Sequence, residues 1–441
     1  MKNSMKMRIG LAALVLLLIP ALALAAPVTV NWWHAMGGAL GERINSMCEE
    51  FNKSQDKYQV VPTFKGNYVD TMNAGVAAFR AKNPPHILQV YEVGTATMMA
   101  AKGAVKPVYE VMKQSGLPFD PGVYLPTVTG YYTTTDGRML SMPFNSSTPV
   151  LYYNIDMFKK AGLDPSKPPK TWTEVAKVAN KLVAAGVCQF GFTSAWNGWI
   201  HIENFSAWHN LPIGTQGNGF GGLNTEYKFN SPLHVKHFQQ LSDWQKDKVF
   251  VYGGRTDIGA AKFYSGEVAM LTHSSAGYAG IKKSCQFEFG VAMLPYWADV
   301  KGAPQNTIIG GASLWILQGH KPEEYKGVAA FFNYLSKSEV QAEWHQATGY
   351  LPITLAAYEL TKKQGFYEKN PGTETSLKQM TLNKPTENSK GLRFGDHAKT
   401  REIMDNEFEA VFAGQKTAKQ GLDDAVKAGN ELLRKFEKAN K

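Results

Sequence analysis

MPFNSSTPVLYYN, residues Met142 to Asn154, is the stretch whose reading decides the fold. Four short polar side chains (Asn145, Ser146, Ser147, Thr148) and Pro149, which has no amide hydrogen for a central ladder, precede the β-rich run Val150 to Tyr153. The pattern predicts a strand that starts at a polar cleft, where the chain passes from one lobe to another. Hydrogen-bonding side chains set between two apolar segments need partners, which a ligand or ordered water in a cleft supplies. The competing reading is an exposed turn closed by side-chain to backbone bonds.

Upstream, Val28 to Trp32, Tyr58 to Phe64 and Ile87 to Tyr91 read as strands. The helical spacing of Ile44, Met47, Cys48 and Phe51, a second helix running to Phe79 and a third holding Met98 and Met99 separate and follow them. Strand and helix in alternation predict an α/β lobe with a mostly parallel sheet. Ligands sit at the carboxyl ends of such strands, which places the Lys65–Tyr68 loop and Glu92 on one rim.

Downstream, Thr171 and Glu174 form a T-x-x-E capping box, and Phe190 to Trp208 is dense in aromatics, with Trp196, Trp199, Phe205 and Trp208 among polar residues that include His201, Glu203 and Asn204. Such a segment is a binding wall or a core cluster. Gly217, Gly219 and Gly222 spell GxGxxG, but no apolar strand precedes them and no helix opens after them, so a loop is expected rather than a dinucleotide site. His234 and His237, with no third ligand nearby, read as a solvated helix face. Val268 to Leu271 is a strand ending in the hydroxyl cluster Thr272–Ser275, and Phe287 to Leu294 is another. Gly310 and Gly311, before the strand Ala312 to Leu317, let the backbone approach a ligand or a neighbouring strand. A helix over Tyr325–Leu335 precedes Ser336, read as a cap with Glu339, and helices over Arg401–Phe412 and Thr417–Phe436, the last opened by a T-x-x-Q cap at Thr417, close the chain.

At 441 residues the chain exceeds what one core usually serves, so two lobes are expected. Lys2, Lys6 and Arg8, the apolar run Ile9 to Ile19 and the small residues up to Ala26 read as a secretory signal peptide cut after Ala25, too short for a spanning helix. Its removal takes away three basic and no acidic residues, lowering the formal charge from +10 to +7. The remaining basic residues are scattered, which argues against nucleic acid and permits attraction of small anions. Cys48, Cys188 and Cys285 exclude a disulfide framework and leave room for one bridge.

The chain has no G-x-S-x-G elbow, H-E-x-x-H or C-x-x-C. The stretches FKGNY, ILQVYEVGTATMMA, PFNSSTPVLYYN, ENFSAW, APQNTIIGGASLW, EWHQATGYLPIT, QGFYEKNPG and GLR closely resemble extracellular solute-binding proteins of ABC importers, the family that includes the maltose-binding proteins, and within it those taking glycerol 3-phosphate. The resemblance covers nearly all of the mature chain. It implies a two-lobed α/β periplasmic binding-protein fold, with residues 26–147 and 290–352 in one lobe and 148–289 and 353–441 in the other. It also implies a periplasmic monomer without cofactor or metal, capturing glycerol 3-phosphate or glycerophosphodiesters for a membrane permease. The family's ligand contacts fall on Tyr68, Glu92, Ser147, Ser274, Gly311, Tyr350 and Arg401, with Arg393 of GLR the alternative for the basic contact, and Trp196 and Trp199 match its tandem tryptophans. In those roles Arg401 meets the phosphate oxygens, Ser147, Ser274 and Gly311 add neutral donors, and Glu92 accepts from glycerol hydroxyls. The alternatives are a sugar ligand on the same fold, or a secreted phosphodiester hydrolase.

Overall fold

A computed structural model describes residues 26–441, so the expected leader lies outside the described residues. The strands, in chain order, are β1 (Val28–His34), β2 (Tyr58–Phe64), β3 (Ile87–Tyr91), β4 (Val105–Lys106), β5 (Met142–Ser147), β6 (Pro149–Asn154), β7 (Phe190–Ser194), β8 (Phe250–Tyr252), β9 (Val268–Ser274), β10 (Phe289–Ala292) and β11 (Gly310–Leu317). They make two sheets: β2-β1-β3-β11-β4 with β5 also on β11, and β10-β6-β9-β7-β8. Helices flank both sheets, giving two α/β lobes. No helix among the described residues is long and apolar enough to cross a membrane.

The polar cluster of the opening stretch is itself the end of a strand. β5 runs to Ser147, Thr148 alone intervenes, and β6 begins at Pro149 in the other sheet, with every residue from Met142 to Asn154 buried. Pro149 takes the first position of its strand, where a missing donor costs least. The chain crosses back twice. Thr148 Oγ1 donates to Thr307 Oγ1 (2.7 Å), tying the first crossing to the second, and the Leu351 N–H donates to Ser146 O (2.7 Å). The boundary expected at residues 352/353 comes too early: the Leu125 N–H donates to Ile353 O (2.9 Å) and Gln346 Nε2 to Thr361 Oγ1 (3.3 Å), which keeps the helix Leu355–Lys363 on the first lobe, so the third crossing follows that helix.

Topology explains where polar groups gather. β1, β3, β5, β7 and β9 run toward the junction of the lobes and end there, whereas β6 and β11 enter from it and run away. β11 is therefore antiparallel to β3 and β5, and β6 is antiparallel to β9. Each sheet is thus mixed, because a strand arriving from the other lobe starts at the end where its neighbours finish. The lobe boundary expected at residues 289/290 falls inside β10, whose Phe289–Ala292 pair with β6, so the return crossing comes later, between Ala292 and Gly310.

Several local expectations hold and two change. Capping boxes form at Thr171/Glu174 and Thr417/Gln420, and Cys48 is buried in the core. All three cysteines are free thiols, so the one bridge the sequence left room for is not made. Ser336 is not a cap: its hydroxyl bonds back to Phe332 O (2.8 Å), and the next helix starts at Ser338. His234 and His237 are not solvated. Both lie on the buried face of the helix Pro232–Lys246 with Phe238, Leu241 and Trp244, at the i, i+3, i+4 spacing that marks a core stripe.

These histidines belong to a neutral network. Trp297 Nε1 donates to His237 Nδ1 (3.2 Å), which leaves His237 Nε2 to donate to His201 Nδ1 (2.9 Å). Ser206 spends its proton on Ile202 O and so accepts from His234 Nε2 (2.7 Å). Burial lowers His201 and His234 to about 3 and His209 to about 4. Folded values below the unfolded 6.5 contribute stability that is complete above about pH 6.5 and is lost as pH falls toward 3–4. Each such histidine adds a slope of about 1.4 kcal/mol per pH unit in that window. The melting temperature is therefore expected to fall steadily from pH 6.5 to 4; a flat profile over that range contradicts the buried network.

Candidate ligand-binding site

Between the lobes lies a cleft of ≈ 440 Å³ whose lining includes Tyr68, Glu92, Ser147, Trp196, Trp199, Ser274, Gly311, Tyr350 and Arg401. All nine residues singled out in the sequence come together there. Arg393, the alternative basic contact, does not. Its Nη2 donates to the carbonyls of Gly130, Tyr131 and Thr133, at the end of the helix Pro126–Tyr132, and its guanidinium lies over Phe220. It caps a helix C-terminus.

Local structure aims each side chain. Asn67 and Asp70 form a capping box that makes Tyr68 the first residue of the helix Tyr68–Arg80. The half-buried Tyr68 ring stacks on Tyr91 at 5.2 Å and its hydroxyl accepts from Asn145 Nδ2 (3.0 Å). Burial and the nearby Tyr350 push the Tyr68 hydroxyl well above its ordinary value, so it stays a neutral donor. Glu92 opens the turn that follows β3. Ser147 ends β5 and Ser274 ends β9, where Ser274 Oγ accepts from the Ala276 N–H (3.2 Å). Gly311 has φ +96°, and a Cβ there would sit 1.8 Å from Asn145 O, so only glycine lets β11 lie this close to β5.

After β7, Trp196 takes φ +51°, an uncommon conformation for a bulky residue, and a π-helix spans Trp199–Asn204. Trp199 packs over Gly310, where a Cβ would fall 2.4 Å from the indole Cζ2. The same π-helix carries Glu203, a site residue absent from the sequence expectations. Its completely buried carboxylate accepts from Arg401 Nε and Nη2 (2.7 Å each) and from His397 Nε2 (3.0 Å). Arg401 Nη2 also donates to Glu92 Oε1 (2.6 Å), joining the lobes across the cleft. The arginine fork is therefore occupied by two carboxylates, with Nη1 left free of protein partners among the described residues. Burial acts upward on Glu203, yet Arg401 and His397 together hold it at about 2. Glu92 goes the other way: burial raises it, and its half-share of Arg401 does not fully compensate against the neighbouring Glu203. A carboxylate among tryptophans in ENFSAW was the available signal, since a buried charge requires a partner.

Elsewhere on the cleft lining two helix N-termini come near one another, one from each lobe. The helix Gly38–Lys53 follows Gly37 and the helix Gly277–Ser284 follows Ala276; neither has a side-chain cap or an acidic residue in its first turn. Gly37, Gly38, Ala276 and Gly277 all line the cleft. Uncapped amides at the positive end of a helix dipole favour anions. His273 also lines the cleft, and burial lowers it to about 4, so it is uncharged near neutral pH. Away from the cleft, His86, His320 and Glu324 bring ligand-type atoms within 4.8 Å of one another. His86 Nδ1 accepts the Asn31 N–H (3.0 Å), so Nε2 holds the ring proton, and metal ligation there would require an imidazolate.

Two α/β lobes, three crossings and a cleft lined from both sheets define a two-lobed binding protein. The chain belongs to the bacterial extracellular solute-binding proteins, whose family model matches residues 46–375. It is 55% identical over 417 residues to the sn-glycerol-3-phosphate-binding periplasmic protein UgpB of Yersinia pseudotuberculosis, covering 94% of each chain. Among solved structures, UgpB from Mycobacterium tuberculosis in complex with glycerophosphocholine superposes with a TM-score of 0.77 at 20% identity, covering 93% of this chain and 99% of that one. The GacH receptor of Streptomyces glaucescens, solved unliganded and with acarbose, gives 0.76 at 17%, covering 92% and 99%. At these identities the structural likeness is one of fold.

Proposed function

We propose that the protein captures sn-glycerol 3-phosphate or its glycerophosphodiesters in the periplasm, as a monomer, and delivers them to the permease of an ABC importer without altering them. The observation that carries this is the make-up of the cleft lining, which holds two kinds of polar group. Two uncapped helix N-termini with Ser147 and Ser274 are donors suited to a phosphate. Glu92 and Arg401, with Glu203 buried behind the guanidinium, form a paired cluster whose charge is already answered and which suits neutral hydroxyl groups. The phosphate therefore belongs beside the helix N-termini and the glycerol beside Arg401, which reverses the role expected for the Arg401 fork. Trp196 and Trp199 flank the glycerol carbons, and Trp199 Nε1, buried without a protein partner, is a donor that a ligand oxygen satisfies. The 55% relative, named for glycerol 3-phosphate and the periplasm, supports the same reading.

Incubation with glycerophosphocholine tests it. Binding to the native state alone should raise the melting temperature by mass action while glycerol 3-phosphate and choline stay undetectable. Release of choline by the pure protein would make it a hydrolase instead.

A further inference from the structure

The wall of the cleft that carries Trp196 also carries a carboxylate that the glycerol phosphate unit leaves unused. Asp257 is exposed and lines the cleft beside Thr256, Trp196 and Tyr264. Its side chain takes one hydrogen bond among the described residues, a long one from Thr256 Oγ1 (3.3 Å), and no ion pair. Arg255, two residues away, is committed elsewhere: its Nε donates to Glu409 Oε1 (2.8 Å) and its Nη2 to Asn406 Oδ1 (2.7 Å). The charge of Asp257 acts on Tyr264, His273 and Tyr350, all of them cleft residues.

The backbone holds this wall in a costly shape. Trp196 (φ +51°) and Thr256 (φ +50°) both occupy the left-handed region, and the Trp196 N–H donates to Thr256 O at 2.6 Å. Asn197 Nδ2 adds a second tie, to Gly254 O (3.2 Å). Two non-glycine residues in that region persist only where the surroundings over-determine them, and such strain gathers at ligand clamps. Here it fixes the Trp196 indole and the Asp257 loop to one another. A free carboxylate beside a phosphate site opposes glycerol 3-phosphate, which brings only negative charge. It suits a ligand that carries a cation beyond its phosphate.

We infer that Asp257, held in place by the Trp196 loop and joined by the Tyr264 ring, forms a subsite for the cationic head group of a glycerophosphodiester, a quaternary or primary ammonium. The inference rests on the glycerophosphate reading of the cleft. Carboxylate and aromatic faces together recognise an ammonium by charge and by the ring quadrupole, and a zwitterionic diester satisfies both the helix N-termini and Asp257.

Titration calorimetry on wild type and Asp257→Asn, with glycerol 3-phosphate, glycerophosphocholine and glycerophosphoinositol, tests this. The substitution should weaken glycerophosphocholine about tenfold and tighten glycerol 3-phosphate about twofold, with the neutral-headed inositol diester following glycerol 3-phosphate. Opposite signs for two ligands in one variant cannot come from poor folding. Asp257→Lys should widen the split. Equal shifts for all three ligands, or unchanged glycerophosphocholine affinity, overturn the subsite. Wild-type protein that takes glycerol 3-phosphate but not glycerophosphocholine overturns the subsite and leaves the function standing, whereas protein that takes neither overturns both.

Discussion

Arg401→Ala is expected to cost about 3 to 5 kcal/mol of stability and about 2 to 5 kcal/mol of ligand affinity, because it strips the guanidinium from between two buried carboxylates. Glu203 is fully buried and Glu92 is 3% exposed, so neither can recover its solvation from water. Without the guanidinium the two acids repel, one takes up a proton, and the link between lobes is lost. The glycerol hydroxyls then meet a Glu92 carboxyl no longer held in place. A companion variant, Arg401→Met with Glu203→Gln, removes the charge conflict and should regain most of the stability but not the affinity. Denaturant unfolding and calorimetry on both proteins separate the two effects. Full stability in Arg401→Ala contradicts the buried pair. Arg393→Ala should lower stability by freeing three helix-end carbonyls while leaving affinity intact, since that arginine lies outside the cleft lining.

Trp199→Ala should also act twice. The indole is 5% exposed, sits on Gly310 and packs with Ile200, Trp208 and Leu294, so truncation opens a cavity costing about 3 to 5 kcal/mol. It also removes a cleft wall, and truncating an aromatic anchor costs about 2 kcal/mol or more in affinity. Trp196 is half-buried and should lose affinity with a smaller change in stability. The sequence posed these tryptophans as either wall or core; Trp199 is both, because the cleft floor is the top of the second lobe's core. Melting temperature and affinity measured on each variant decide it, and intact affinity in either would remove that residue from the site.

What the sequence disclosed depended on how local the signal was. The Met142–Asn154 crossing was legible because a polar cluster inside a β-rich run has few explanations. The paired glycines, which open β11, announced a close approach that the Gly311 and Asn145 backbones make. The return crossing was misplaced because β10 carries no mark of which sheet it joins; its partner β6 lies about 140 residues earlier. The buried histidines were misread because their type suggested solvent while their spacing with Phe238 and Leu241 said core. Arg401 was found by counting from a motif, but its occupation by Glu203 and Glu92 depends on three segments that meet only in the folded chain. The two helix N-termini escaped notice because backbone amides leave no trace in a list of side chains.

In the function proposed above, one cleft reads a phosphate beside the helix N-termini and glycerol hydroxyls beside Arg401. Titration calorimetry of the wild-type protein against glycerol 3-phosphate, inorganic phosphate, glycerol and maltose tests it most directly. Glycerol 3-phosphate should bind at micromolar Kd or tighter, about −8 kcal/mol or better, with inorganic phosphate and glycerol each far weaker and maltose without heat. Tight binding of maltose with none of glycerol 3-phosphate would contradict the account.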